Sequence, residues 1–251
     1  QAEGNVILDG QHIDGSNGIM LTNAAYNIIK GFTTRYFDIA ISTDNRAAIT
    51  RDANGYISNT ASVGVSDNNL VLENLEVYEN KNTGIHLDNA GNAIIRNVKI
   101  HDNGLGFNGL AFGSGAGYGE GLSISFSDNV LIDGLTSYNH NDGSINAPFV
   151  DSGILTYVSN GFTLINSAVY NTNNNIDLHG DSLVKNTKQY GYRAAGLLSR
   201  RRANDCWLPH IVKVINGIFY DSLGTGETNI KGLRGGQVEV YNSILYHAEE
   251  N

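Results

Sequence analysis

Short bursts of apolar residues separated by Gly and Asn run the length of this chain, and within the bursts the apolar residues fall on every second position. Ile85 with Leu87, Val98 with Ile100, Leu122 with Ile124 and Ile176 with Leu178 follow this rule. A period of two belongs to strands with one buried face rather than to helices. The bursts are also copies of one another: VLENLEVYEN at 71–80 recurs as IIRNVKIHDN at 94–103, LIDGLTSYNH at 131–140, LINSAVYN at 164–171, VINGIFYD at 214–221 and VYNSILYH at 240–247. With the central Asn or Gly as a marker, the copies fall at Gly10, Gly31, Asn74, Asn97, Gly134, Asn166, Asn186, Asn216 and Asn242. The intervals are 21, 43, 23, 37, 32, 20, 30 and 26 residues. A common minimum with additions of variable size is the mark of a solenoid that carries loop insertions. A leucine-rich repeat has a similar period but needs recurrent leucines and a helical return, whereas the return here is rich in Gly and Asn. The pattern therefore predicts an all-β fold, a single-stranded right-handed parallel β-helix solenoid of about nine coils. The hand follows the general preference of parallel crossovers. The marker asparagines are expected to stack as hydrogen-bonded ladders within a turn.

A second strand follows each marker, aligned as five-residue segments that start at Gly18, Asp38, Gly84, Gly121, Gly153, Asn175 and Gly196. Strand alternation turns the second and fourth residues inward and the third and fifth toward solvent. The fifth positions are Thr22, Ser42, Asp88, Ser125, Tyr157, His179 and Arg200. The third positions are Met20, Ala40, His86, Ser123, Leu155, Asp177 and Leu198. Parallel coils bring equivalent residues about 4.8 Å apart, so Tyr157, His179 and Arg200 should form one column with Asp177 beside His179.

Composition narrows the classes of function. The 251 residues carry a formal charge of −9, which argues against nonspecific binding to a nucleic-acid backbone. No stretch of 18 apolar residues could span a bilayer, and no leader segment is present in the chain shown. The two prolines, Pro148 and Pro209, and the lack of a linker argue for one domain over 1–251. Insertions are expected near 43–68, 104–120, 141–152 and 201–210, where they could wall a groove. The lone Cys206 excludes an internal disulfide and reads as a buried apolar residue. With neither end visibly capped, end-to-end association or adjoining domains remain open.

The Tyr157, His179 and Arg200 column has a chemical reading. Arg200 could pair with a uronate carboxylate and acidify the neighbouring C5 proton. His179 or Tyr157 could then remove that proton or protonate the leaving oxygen, with Asp177 orienting His179. Arg202, His86, Asp88 and Tyr118 are the expected substrate-binding residues, Tyr118 lying with Phe107 and Phe112 in an insertion suited to stacking on sugars. Ordinary surface polarity is the competing reading of the whole column. Asp88, Asp102, Glu120, Asp142 and Asp151 are hard oxygen donors that could bind Ca2+, so the cofactor expectation is calcium or none. A hydrolase would need a carboxylate pair, for which Asp151 and Asp177 are the candidates.

The recurring NVKIHDNG, VYEN and LTSYNHNDG segments resemble those of the pectate-lyase-like superfamily of right-handed parallel β-helix proteins, which includes polysaccharide lyases and mannuronan C5-epimerases. IDLH at 176–179 is similar to the Asp-Pro-His signature of the epimerases, with Leu178 in the place of the proline. That resemblance implies proton transfer by Asp177 and His179 on an alginate-like substrate. A lysine base of the kind used elsewhere in the superfamily has no counterpart at these positions, Lys188 lying elsewhere in the repeat. The leading expectation is a secreted or cell-surface polysaccharide lyase acting by β-elimination on an acidic, uronate-containing polysaccharide. A related C5-epimerase and a noncatalytic carbohydrate-binding or adhesin/tailspike module are the alternatives.

Overall fold

The computed structural model describes residues 6–22, 25–43, 48–51, 57–61, 69–104, 119–140, 152–200, 210–221, 228–233 and 236–246. Three parallel sheets of nine, eight and eight strands run through it. Each coil contributes one strand to each sheet in turn, so the chain is a right-handed parallel β-helix. The first sheet runs from Val6–Asp9 through Phe32–Arg35, Glu76–Tyr78 and onward to Ile244–Leu245. The second runs from Asn17–Leu21 to Thr228–Leu233, and the third from Ile28–Lys30 to Gly236–Tyr241. An antiparallel pair, Ala48–Arg51 with Ile57–Ala61, stands within the first expected insertion.

The interior is the sum of the inward positions. Ile85, Leu87, Leu122, Ile124, Ile176 and Leu178 are all fully buried, as alternation requires, and join Leu72, Ile95, Ile132, Leu164, Val184 and Val214 of the third sheet in one core. Burying one such side chain stabilises the fold by roughly 1.5–3 kcal/mol relative to leaving it exposed.

The corner from the third sheet to the first is two residues long in every coil from Asn74-Leu75 to Asn242-Ser243. Its first residue has a left-handed backbone: φ is 54° at Asn74, 51° at Asn97, 76° at Gly134 and 52° at Asn186. Asn and Gly tolerate that conformation best, which is why they mark the repeat. The asparagine side chains form the expected ladder. Asn186 Nδ2 donates to Asn166 Oδ1 at 3.1 Å, Asn216 to Asn186 at 3.0 Å and Asn242 to Asn216 at 2.7 Å. Gly10 is a correction: it lies after the first-sheet strand Val6–Asp9, at the opposite corner, and is not part of this series.

A second correction concerns register. Ser42 pairs with His86 and Met20 with Ser42, so the segment of the second coil begins at Ala40 rather than Asp38. Asp38 is a corner residue whose N–H donates to Ser16 O at 2.8 Å and whose carboxylate accepts from Gly15 N at 2.5 Å. Ser42 therefore belongs to the third-position column and Ala40 to neither outward column.

Candidate active site

The variable parts of the chain adjoin strands of the second sheet in sequence. Residues 105–118 and 141–151 lead into its strands Leu122–Ser125 and Ser152–Tyr157, while 44–68 and 201–209 follow its strands Ile39–Thr43 and Ala195–Arg200. All four expected insertions are thus joined in sequence to a strand of this sheet, and none interrupts the two-residue corner between the other two.

Its outward side carries a groove of about 570 Å³. Ser42, His86, Ser123 and Leu155 line it along the third-position column, and Asp88, Ser125 and Tyr157 along the fifth. The predicted substrate-binding residues His86 and Asp88 are therefore brought into one groove with Tyr157. Asp88, the one carboxylate in the described lining, is buried, its N–H donating to Thr43 Oγ1 at 2.6 Å while the Thr43 hydroxyl donates back to the Asp88 carbonyl at 2.8 Å. Phe126, at a left-handed φ of 50°, packs its ring edge-on to Tyr157 with centroids 5.4 Å apart.

Beyond Tyr157 the same face holds a compact charge cluster. Asp177 pairs with Leu198 and Leu178 with Ser199, which sets His179 next to Arg200. The Tyr157 and His179 ring centroids lie 5.9 Å apart. Arg200 grips Asp177 with two bonds, Nη2 to Oδ2 at 2.5 Å and Nε to Oδ1 at 3.1 Å. His179 Nε2 is 3.1 Å from Asp177 Oδ1 and 3.2 Å from Arg200 Nε. A single Arg200 Nε proton is better used by the carboxylate, a stronger acceptor than imidazole. That assignment makes His179 Nε2–H a donor to Asp177 and leaves the lone pair on Nδ1, which is buried and has no hydrogen-bond partner among the described residues. The His179 N–H donates to the buried Thr156 Oγ1 at 3.0 Å, tying the ring's backbone to the preceding rung.

The expectation of solvent exposure at the third and fifth positions does not hold here. Asp177 is 0% exposed and His179 1%. Both point away from the core but are covered on their outer side. The arginine expected to meet a uronate carboxylate is bonded to Asp177.

Tyr118, Arg202, Phe107, Phe112, Cys206, Asp142 and Asp151 lie outside the described residues, and with Asp151 goes the proposed hydrolase pair. The remaining oxygen donors do not converge. Asp102 sits at a corner, bonded by His101 Nδ1 at 2.6 Å and by Asn139 at 3.1 Å. Glu120 accepts from Thr83 at 3.2 Å, and Asp88 is in the groove. Among the described residues there is no group of three His, Cys, Asp or Glu side chains able to hold a metal.

One feature of the fold escaped the residue-level reading. Tyr78, His101, Tyr138, Tyr170, Tyr190 and Tyr220 form a column on the outward side of the first sheet, each ring stacked on the next with centroids 4.4–5.1 Å apart. Burial, helped by the neighbouring Tyr190 and Tyr138 phenols, pushes the Tyr170 hydroxyl up to about 12. The rings turn their edges outward and bury their faces on one another. They serve as a structural spine and offer no open platform for a sugar except at the ends.

No protein-family model matches the chain, and no curated protein does. Among solved structures, the crystal structure of pectate lyase Pel9A superposes with a TM-score of 0.55 at 15% identity, over 97% of this chain and 60% of that one. The chain thus spans about three-fifths of the length of that lyase. No helix among the described residues is long and apolar enough to cross a membrane. At this level of identity the likeness is one of architecture: the chain has a parallel β-helix fold similar to that of this structure.

Proposed function

We propose that the protein is a secreted polysaccharide lyase that cleaves an acidic, uronate-containing glycan by β-elimination, with the chain of sugars lying in the groove of the second sheet. The observation that carries this reading is the Asp177–His179–Arg200 cluster, aligned with Tyr157 at the end of that groove. In the reaction a base takes the C5 proton of a uronate, the electron pair forms the C4–C5 double bond, and the C4–oxygen bond breaks as the leaving oxygen gains a proton. His179 Nδ1 carries the lone pair for the first step, because Nε2–H is held by Asp177, and the side chains that bury it must move aside before it meets the C5 proton. The imidazolium that results is stabilised by the adjacent carboxylate. Tyr157 is placed to give a proton to the leaving oxygen. Arg200 neutralises the substrate carboxylate by exchanging one of its bonds to Asp177 for a bond to the uronate.

A C5-epimerase would share the proton abstraction and return a proton to the opposite face. Noncatalytic glycan binding is the second reading, and a specific observation favours it: Asp177 and His179 are shielded, and the Arg200 charge is already matched. Incubation with alginate, pectate, glycosaminoglycans and ulvan, with and without chelator, tests these readings together. A lyase yields unsaturated uronate ends, seen as new ultraviolet absorbance. An epimerase changes sugar configuration without them. Binding with neither change overturns the enzymatic reading.

A further inference from the structure

We infer that the glycan is a heteropolymer, in which the uronate at the reaction centre is flanked, along the groove, by neutral sugars rather than by further uronates. This rests on the elimination reading for the identity of the reaction centre. The groove runs past five successive rungs, at Met20, Ser42, His86, Ser123 and Leu155. Four steps of about 4.8 Å make that roughly 19 Å, room for several sugar units. A polyuronate lying there would bring a carboxylate to each unit, and each desolvated carboxylate needs a cation or a set of strong donors. The described lining contains no lysine and no arginine. Its polar groups are mostly neutral hydroxyls and amides, such as those of Ser42, Asn82, Thr83, Ser123 and Ser125, joined by the His86 imidazole and by the Asp88 carboxylate, which would repel a substrate carboxylate. The hydroxyls and amides both donate and accept, which suits sugar hydroxyls. Phe126 and Tyr157 add apolar ring surface for the C–H faces of a sugar. Among the described residues of this sheet's outward columns, positive charge lies beyond His179, at Arg200 and, on the next rung, at Lys231. Recognition of acid at that end and of uncharged units along the rest follows from this distribution.

The test uses the full chain and two substrate sets: homopolyuronates, such as polymannuronate and polygalacturonate, and polymers that alternate a uronate with neutral sugars. The rate of unsaturated-end formation per unit of enzyme and substrate should favour the alternating polymers by on the order of tenfold or more. The Ser125→Lys variant, which adds a cation to the groove, should narrow that preference. Equal or better turnover of homopolyuronates by the unaltered chain overturns the inference while leaving the lyase reading intact. If no polymer gives unsaturated ends, the lyase reading fails. Retardation of the protein in gels containing each polymer then decides the inference: stronger retardation by alternating polymers supports it, and stronger retardation by homopolyuronates, or none by either, overturns it.

Discussion

The outward faces of the first and second sheets grow from the same coils and are built on opposite plans. The first repeats one solution: a stacked ring in six successive coils from Tyr78 to Tyr220, joined to the third sheet by a two-residue corner with a left-handed Asn or Gly. The second changes residue type at every rung and is joined in sequence to all the long insertions. A repeated side chain adds the same contact energy at each coil, as expected of a spine. A face that breaks the repeat gives up that gain, and the buried Asp177–Arg200 pair is a costly way to fill it unless the charges do something else. The contrast supports the proposal that the second sheet works on the glycan, independently of any resemblance.

His179→Ala should lower the rate of unsaturated-end formation by about 10²–10⁴-fold, the usual range for loss of a general base. An unchanged rate in a direct assay would remove His179 from the mechanism. Arg200→Met leaves the Asp177 carboxylate buried without its partner and should cost roughly 3–5 kcal/mol in denaturant unfolding. Adding Asp177→Asn to that variant should recover part of the loss, whereas two independent, additive losses would mean that the pair is not coupled.

Stability should also depend on pH at both extremes. Burial first, and the charge of His101 second, push the His140 imidazole from its ordinary 6.5 down to about 3. Because the folded state holds the neutral ring, its contribution is complete above about pH 6.5 and is lost as pH falls toward 3. Tyr170 gives the opposite edge: its contribution is complete below about pH 10 and is lost as pH rises toward 12. Unfolding midpoints that stay flat between pH 7 and 4.5 would contradict the buried His140. The smallest effect belongs to the spine's corner. Asn186→Ala puts a Cβ at a φ of 52° without the compensating amide and should cost about 1–2 kcal/mol with turnover unchanged. Asn186→Gly should cost less, since only the ladder bonds are lost.

How much of this was legible in the sequence depended on whether a residue's position was forced by its own backbone. The corner asparagines were readable because a tight left-handed turn admits few residue types, and the coil count followed from them. The aromatic column was equally readable, since a Tyr or His stands four residues after every marker from Asn74 to Asn242. The Asp38 error has a different origin. A slip of two residues keeps strand alternation intact, so hydrophobic pattern alone cannot separate Asp38 from Ala40 as the start of the segment. The column of Tyr157, His179 and Arg200 was read from spacing, and the structure brings those side chains together. The burial of Asp177 and His179 was not readable, because alternation reports the side to which a residue points and not what covers that side. Nor could spacing reveal that Arg200 is bonded to Asp177, a contact between adjacent rungs made by the reach of one long side chain.

The central claim is that the second sheet, not the first, works on the glycan, and one chemical change made on each face tests it. Tyr157→Phe and Tyr170→Phe both remove a single phenolic oxygen. On a uronate glycan that the unaltered chain cleaves, the account predicts a fall in kcat of about tenfold or more for Tyr157→Phe and no change for Tyr170→Phe. A loss confined to Tyr170→Phe, or full activity in both variants, would contradict it.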